Sequence, residues 1–491
     1  MSTTAPEATK SNRWLVLVIA CLAQFMVVLD ATIVNVALPS IQRGLHFSPT
    51  NLAWVVNAYT LVFGGFLLLG GRAADLLGRK RLFMVGIALF SAASLLNGLA
   101  QSSTMLVVGR GLQGLGGALL SPAALSIITT TFTDTQERTR ALGVWSAIAA
   151  GGGAVGLILG GVLTDLVSWP WIFIVNVPVG VVALVATLRF VPESRVDMAH
   201  RTFDLAGAVS VTSGLVILVY AIIKAQAWSW GSSRTIALLA LSAGILALFI
   251  AIERRSKAPL MRLSIFRIRT LAVADVVLLL VASGLFGMFF FASLYVQEIL
   301  GYSPLRAGLA FLPITAGIVI GAGIAQPLTR RIGLRNLAVA GVMIAAAGLA
   351  VLTQLPIHGS YLGNLLSGLF PMSVGMGLTF VPITLLATGG VRDEDAGLAS
   401  GLFNTAQQVG GSLGLAILST LAASQTKSLL AGSHASLTSA AGIAARVSGY
   451  HVAFLAASLM LAAGGIILAV ALRPRHVRAI ESELTPIPAA A

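Results

Sequence analysis

Fourteen long apolar runs constrain this chain more than any other feature. Each is about 18 residues or longer, enough for an α-helix to cross a hydrocarbon core of roughly 30 Å. Charged residues make up only 10% of the sequence, against about 25% in soluble domains. The sequence therefore predicts an all-α integral membrane protein with 14 transmembrane helices. The runs cover residues 13–38, 51–71, 82–100, 104–127, 139–163, 171–190, 204–224, 235–252, 271–298, 305–327, 334–354, 360–387, 396–422 and 450–472.

The distribution of basic residues predicts how these spans are oriented. Of the 31 lysines and arginines, 24 fall in the N-terminal segment and in alternate loops, six in the other loops, and Arg110 lies inside a run. Cytoplasmic loops are enriched in Lys and Arg, so we expect both termini in the cytoplasm. These loops also explain the net charge of +14, and we expect no nucleic-acid partner. We expect a monomer in the cytoplasmic (inner) membrane, in contact with lipids.

An internal repeat divides the chain. Three glycines of span five recur 258 residues later in span thirteen with the same spacing: Gly143, Gly152 and Gly156, then Gly401, Gly410 and Gly414. Spans one to six and nine to fourteen then form two parallel halves, with seven and eight as an inserted pair. The predicted segments are a cytoplasmic tail 1–12, an N-terminal bundle 13–190, two inserted helices with flanking loops 191–269, a C-terminal bundle 270–472 and a cytoplasmic tail 473–491. Residues 423–449 are expected to form the one long extracytoplasmic loop.

The loop between spans two and three resembles the signature of the major facilitator superfamily: glycine, three residues, aspartate, two residues and Gly-Arg-Lys. The matching residues are Gly71, Asp75, Gly78, Arg79 and Lys80. This resemblance implies the major facilitator fold, with the substrate site near the midplane between the halves. It also implies that the loop is a conformational latch. The alternative is a plain positive-inside loop with a tight glycine turn.

Span one carries an acid within an apolar run. Residues 29–39, Leu-Asp-Ala-Thr-Ile-Val-Asn-Val-Ala-Leu-Pro, resemble the first-helix signature of the fourteen-span drug/proton antiporter family. A charge at the centre of a membrane helix costs roughly 2.5–3.5 kcal/mol on insertion scales, so such residues mark proton or ion pathways. Desolvation disfavours the charged form of a carboxyl group, which makes Asp30 the candidate proton-coupling site. The alternative is a structural aspartate near the outer interface.

Span four carries a basic residue. Residues 110–117, Arg-Gly-Leu-Gln-Gly-Leu-Gly-Gly, resemble the family's fourth-helix motif, and the resemblance implies that Arg110 takes part in proton coupling. A buried arginine stays protonated and needs a partner, and Asp30 is the other charge predicted well inside the first half. Gln113 falls about one turn later and can share the face. The alternative is an arginine that snorkels to an interface.

Span five resembles the antiporter motif of exporters: Gly, eight residues, Gly, three residues, Gly-Pro, two residues, Gly-Gly. The matching glycines are Gly143, Gly152, Gly156, Gly160 and Gly161, while Leu157 replaces the proline. Glycine stripes allow close packing and bending of membrane helices. The motif implies export, and the alternative is generic small-residue packing.

Polar residues within the spans are candidate substrate contacts, although each could instead bond a neighbouring helix. They are Gln24, Asn57, Tyr59, Gln113, Tyr295, Gln297, Asn404, Gln407 and Gln408. Asp275 is either a second protonatable site or an interfacial residue, and its place near the edge of span nine favours the latter.

These patterns predict a proton-coupled exporter of amphipathic drugs or similar small molecules, driven by the proton gradient without a cofactor or metal. An exporter or flippase for a lipid or secondary metabolite on the same fold is the alternative. A membrane enzyme or sensor is disfavoured, because the six histidines lie in loops or at span edges and the tails are too short for a sensor domain.

Overall fold

The computed structural model describes residues 10–194, 204–256, 259–392, 395–431 and 436–484, and every regular element within these residues is a helix. Thirteen helical segments of this described part are long and apolar enough to cross a bilayer. The other predicted span, 396–422, lies in the 35-residue helix Ala396–Leu430. Its amide side chains, Asn404, Gln407 and Gln408, make it less apolar than the rest. Each of the fourteen predicted runs thus lies on a helix.

The N-terminal half and the inserted pair comprise nine of the described helices. They are α1 (Lys10–Gly44), α2 (Trp54–Leu77), α3 (Arg79–Gly98), α4 (Ser103–Thr131), α5 (Thr135–Leu166), α6 (Trp171–Ile174), α7 (Asn176–Phe190), α8 (Leu205–Trp228) and α9 (Ser233–Arg255). The short α6 and α7 form one span, since only Val175 separates them. The pair α8 and α9 packs mainly on itself and reaches the halves through α2 and the Ala396–Leu430 helix.

The C-terminal half contains the remaining described helices. They are α10 (Arg269–Leu294), α11 (Pro304–Ala310), α12 (Leu312–Ile332), α13 (Leu334–Val351), α14 (Leu366–Thr388), α15 (Ala396–Leu430), α16 (Ala440–Ala471) and α17 (Pro474–Leu484). The prediction of a long loop at 423–449 is corrected here, because α15 continues to Leu430 and α16 begins at Ala440. The Ser439 hydroxyl caps α16 by accepting a hydrogen bond from the Gly442 N–H (3.1 Å), and such a cap favours helix from that point.

The two halves repeat the same packing. Helix α4 packs against α2 and α3, as α14 does against α12 and α13, and α5 packs on α1 as α15 does on α10. Gly152 lies against Val28 at the α1–α5 contact, and Gly410 lies against Leu279 at the α10–α15 contact. Gly152 and Gly156 thus hold positions equivalent to Gly410 and Gly414, whereas Gly143 and Gly401 differ in their contacts. The predicted arrangement of two six-span halves and an inserted pair is present.

Helix α1 begins at one end of the bundle, which we call the terminal end. The other end is called the opposite end. Helix α17 folds back onto the terminal end, with Val477 and Ile480 buried. A Glu481 carboxylate oxygen accepts a hydrogen bond from the Leu334 N–H (2.8 Å), the first residue of α13. A carboxylate at a helix N-terminus is favourable because the free N–H groups there point toward it. Residues 474–484 of the predicted tail are therefore part of the packed structure.

Candidate functional site

Asp30, midway along α1, lies at the centre of a buried polar cluster in the N-terminal half. Its side chain is fully buried. One carboxylate oxygen accepts a hydrogen bond from Nη1 of Arg110 on α4 (2.5 Å). The other accepts from Nε2 of Gln113 on α4 (2.7 Å) and from Nδ2 of Asn176, the first residue of α7 (3.1 Å). Two helices, α4 and α7, thus supply three donors to the carboxylate of a third, which stabilises its charged form away from water.

Arg110 is 1% exposed and satisfies its guanidinium within the protein. Its Nε donates to the Val55 carbonyl on α2 (2.9 Å), and Nη1 also donates to Oε1 of Gln113 (2.7 Å). The guanidinium carbon lies 4.3 Å from the centre of the Tyr59 ring, a cation–π distance. Arg110 therefore does not snorkel to an interface, and it forms the predicted pair with Asp30.

Glycines bring the helices of this cluster together. A Cβ at Gly116 would lie 2.6 Å from the backbone nitrogen of Phe90 on α3, and a Cβ at Gly114 would overlap the Tyr59 carbonyl oxygen on α2. Only glycine allows the backbone of α4 to approach both neighbours so closely. This approach is what places Arg110 within hydrogen-bonding distance of the Val55 carbonyl.

A second layer of polar groups surrounds the pair; its Gln113 was predicted from the sequence, whereas Ser94, Asn97 and Asn176 were not. Gln113 donates to the Ser94 hydroxyl (2.6 Å) and accepts from Nδ2 of Asn97 (2.8 Å), both on α3. Asn97 and Asn176 are fully buried. A buried amide is costly unless it is hydrogen-bonded, and buried asparagines in membrane spans were the signal that could have identified these partners. The two amide atoms of Asn57 and the Tyr59 hydroxyl are buried without a partner among the described residues.

The glycines of the antiporter motif pack α5 against the helix that carries Asp30. Gly152 lies against Val28, and a Cβ at Gly160 would lie 2.7 Å from the Ile33 carbonyl oxygen. Gly156 faces Thr32 in the same way, whereas Gly143 has no neighbour within 4 Å. Helix α5 is continuous through Leu157, as expected where leucine replaces the kink-forming proline.

The last glycine of the motif faces the other half of the protein. A Cβ at Gly161 would lie 2.8 Å from the Pro304 carbonyl oxygen, and Gly308 on α11 lies directly against the Leu157 carbonyl. These contacts join the two halves near the opposite end of the bundle. The motif therefore sits between Asp30 and the interface of the halves.

The predicted latch residues contact the end of α7. Gly78 has a φ of 109° and is the residue immediately before α3. The Lys80 N–H donates to a Glu193 carboxylate oxygen (3.2 Å), and Lys80 Nζ donates to the Leu188 carbonyl (2.9 Å). Arg79 donates to the Ser194 hydroxyl (3.4 Å).

The other two latch residues lie earlier, in α2. A Cβ added at Gly71 would lie 3.7 Å from the Pro122 side chain, and the side chain of Asp75 lies outside the described residues. The contacts described here hold together the N-terminal half, and sequence reasoning missed Glu193.

Three candidate substrate contacts are hydrogen-bonded to other parts of the protein. Gln24 accepts from the Ser121 hydroxyl on α4 (2.8 Å). The buried Tyr295 donates its hydroxyl proton to the Pro356 carbonyl (2.6 Å). Gln297 donates to the Val36 carbonyl on α1 (2.9 Å), which joins the two halves at the opposite end.

The amides of α15 differ from one another in their surroundings. Asn404 is exposed and donates to the Ser400 carbonyl one turn earlier (2.9 Å). Gln407 is half-buried. Gln408 lies against Gly64 of α2, and its Oε1 is buried without a partner among the described residues. Asp275 lies near the start of α10; it is 7% exposed, and its Oδ1 is likewise unpartnered within that part of the chain.

The Tyr59 ring supplies a test of how Arg110 is held. Tyr59→Phe is expected to leave stability nearly unchanged, because the ring stays over the guanidinium and the hydroxyl has no described partner. Tyr59→Leu is expected to cost about 2 kcal/mol, the size of a desolvated cation–π contact. Thermal unfolding of both purified variants in one detergent measures the difference. Equal losses in the two variants would contradict a role for the ring.

A family model described as Major Facilitator Superfamily matches residues 20–415. The chain belongs to this superfamily. Its sequence is 43% identical to the puromycin resistance protein of Streptomyces alboniger, over 91% of this chain and 89% of that protein. It is 40% identical to a cephamycin export protein of Amycolatopsis lactamdurans, over 89% and 90% of the two chains. As a major facilitator protein it is a multi-pass membrane transporter and not an enzyme, as predicted.

The fold of this superfamily member is also found in solved structures. A bacterial homologue of the human lysosomal transporter Spinster, solved inward-facing and unoccupied, aligns with a TM-score of 0.67 at 17% identity, covering 98% of this chain and all of that one. At this identity the likeness concerns the fold alone. Among the described residues no cluster of three or more His, Cys, Asp or Glu residues could hold a metal ion.

Proposed function

We propose that this major facilitator protein exports amphipathic drugs or similar small molecules in exchange for protons, by alternating access. It would work as a monomer in the cytoplasmic (inner) membrane with both termini in the cytoplasm, and would use the proton gradient without a cofactor. The printed names of its relatives, a puromycin resistance protein and a cephamycin export protein, support drug export. The concentration of lysines and arginines at the terminal end supports the orientation.

The buried Asp30–Arg110 pair is the observation that carries proton coupling. Asp30 is the group that can gain and lose a proton, because arginine stays protonated. Protonation would cancel the carboxylate charge and release Arg110 from its ion pair, leaving it held by the Val55 carbonyl, Oε1 of Gln113 and the Tyr59 ring. Such a change alters how α1, α4 and α7 are held together. One charge crossing 100 mV supplies about 2.3 kcal/mol, which is roughly a fifty-fold gradient of cargo.

The C-terminal half lacks an acid at the equivalent place. Gly152 and Gly156 lie against Val28 and Thr32 of α1, and the equivalent Gly410 and Gly414 lie against Leu279 and Ser283 of α10. The residue of α10 that corresponds to Asp30 is therefore Val281. This asymmetry supports a division in which the N-terminal half binds the proton. The cargo would then contact the amides of α15 in the C-terminal half, together with Asn57 of α2.

A proton-flux assay tests the proposal. The purified protein is reconstituted into liposomes that contain a pH-sensitive dye, and a panel of cationic, neutral and lipid-like compounds is added under an imposed pH gradient. Addition of an amphipathic drug is expected to start proton movement, and collapse of the gradient is expected to stop accumulation of the drug against its own concentration gradient. Accumulation that persists without a proton gradient would overturn the coupling. Movement of lipid-like compounds alone would favour the lipid exporter instead.

A further inference from the structure

A cavity lies at the opposite end of the bundle, away from the Asp30 cluster. Its volume is about 830 Å³, within the range of sites that hold drug-sized ligands. The N-terminal half contributes the end of α1 and the turn that follows it, including Phe47. The C-terminal half contributes the ends of α10 and α15 and the first turns of α16. The cavity thus lies between the halves.

Aromatic side chains form one wall of this cavity. Phe290, Phe291 and Tyr450 line it, and the rings of Phe291 and Tyr450 lie 5.6 Å apart. Phe47 lines it from the other half and is 6% exposed. Apolar and aromatic surface of this kind binds the hydrocarbon part of a ligand.

The charged residues of the cavity have an excess of positive charge. Arg43, Lys427 and Arg446 line it, whereas Glu298 is the one acid among its lining residues. Glu298 is already paired, since its carboxylate accepts from Nη1 of Arg446 at 2.5 Å. Within the described residues the side chain of Arg43 donates to the Pro39 carbonyl and the Ser40 hydroxyl, at 3.3 and 3.4 Å. Neither Arg43 nor Lys427 forms a direct ion pair within that part of the chain, although Arg43 lies near enough to Glu298 for the two charges to interact.

We propose that this cavity binds an amphipathic organic anion of drug size. Its carboxylate would lie between Arg43 of the N-terminal half and Lys427 of the C-terminal half, and its aromatic part would pack on Phe291 and Tyr450. A cation is disfavoured because Arg446 already neutralises Glu298. The inference rests on the proposed function, in which this is the site a cargo occupies before leaving at the opposite end.

Direct binding to the resting protein tests the site. The full chain is placed in nanodiscs of zwitterionic lipid, and the affinities of a naphthyl-substituted hexanoate, and of the alcohol and amine with the same skeleton, are measured by fluorescence anisotropy. The carboxylate is expected to bind most tightly. The double variant Arg43→Gln, Lys427→Gln is expected to weaken carboxylate binding about tenfold or more, because charge-assisted hydrogen bonds are lost. The affinity for the alcohol is expected to stay the same. Arg234→Gln is the matched control, since Arg234 is exposed and does not line the cavity.

The outcomes separate this inference from the proposed function. Equal affinities for the carboxylate and the alcohol, or an unaffected double variant, would overturn the anion site while leaving proton coupling intact. Loss of carboxylate binding in nanodiscs that contain anionic lipid would show that lipid fills the cavity, and would also overturn it. Failure of proton coupling appears only in the flux assay.

Discussion

Asp30→Asn is expected to reduce drug-driven proton flux to the level of empty liposomes. Asparagine matches the size of aspartate but does not titrate at any pH that the transporter meets. It also presents an NH₂ group to the donors of Arg110 or Gln113, so at least one hydrogen bond of the cluster is lost. The charge of Arg110 then remains buried without a counter-charge, which in soluble proteins costs about 3–5 kcal/mol.

Two further variants keep this prediction independent of misfolding. Asp30→Glu retains a titratable carboxylate and is expected to retain part of the flux. Asp165→Asn removes an exposed acid from the end of α5 and is expected to behave as wild type. Thermal unfolding in detergent identifies any variant that is no longer folded. A folded Asp30→Asn protein that still exchanges drug for protons would exclude Asp30 as the coupling site.

The spans could be predicted from the sequence because the bilayer fixes the length of an apolar helix. The Asp30–Arg110 pair was predictable for a related reason. Charges inside spans are costly, so two of opposite sign in one half are expected to meet. Two of the three repeated glycine pairs of spans five and thirteen, Gly152 with Gly410 and Gly156 with Gly414, likewise mark equivalent helix contacts in the structure.

The positions of the other site residues depend on helix packing, which local sequence patterns do not reveal. Asn176 reaches Asp30 because the α6–α7 break places the start of α7 beside α1. Tyr295 and Gln297 were predicted as substrate contacts from polarity alone, yet they bond the Pro356 and Val36 carbonyls. In the sequence, a polar side chain in a span looks the same whether it faces a cavity or bonds a neighbouring backbone. Only the three-dimensional contacts distinguish the two.

Gly308→Ala is expected to open the contact between the halves at the opposite end. The new Cβ would overlap the Leu157 carbonyl oxygen on α5. This oxygen belongs to the backbone of a continuous helix and cannot rotate away as a side chain can. Overpacking costs about 1–3 kcal/mol. This cost applies only while α5 and α11 are in contact. The equilibrium between halves that touch and halves that are separated at the opposite end should therefore shift by about 5- to 150-fold.

Cysteine labelling can measure this shift. The chain has one cysteine, so a Cys21→Ser background allows a single reporter at Ser293→Cys. Ser293 is fully buried and donates to the Asn35 carbonyl across the halves (2.6 Å), and it becomes accessible when the ends separate. The matched control is Gly323→Ala on α12, where a Cβ meets nothing within 4 Å. Both substitutions gain the same helix propensity, so a faster reaction with a water-soluble maleimide in Gly308→Ala alone reports the contact. Equal labelling rates in the two variants would mean that the α5–α11 contact does not hold the halves together at the opposite end. The antiporter glycines would then act only by packing α5 against α1.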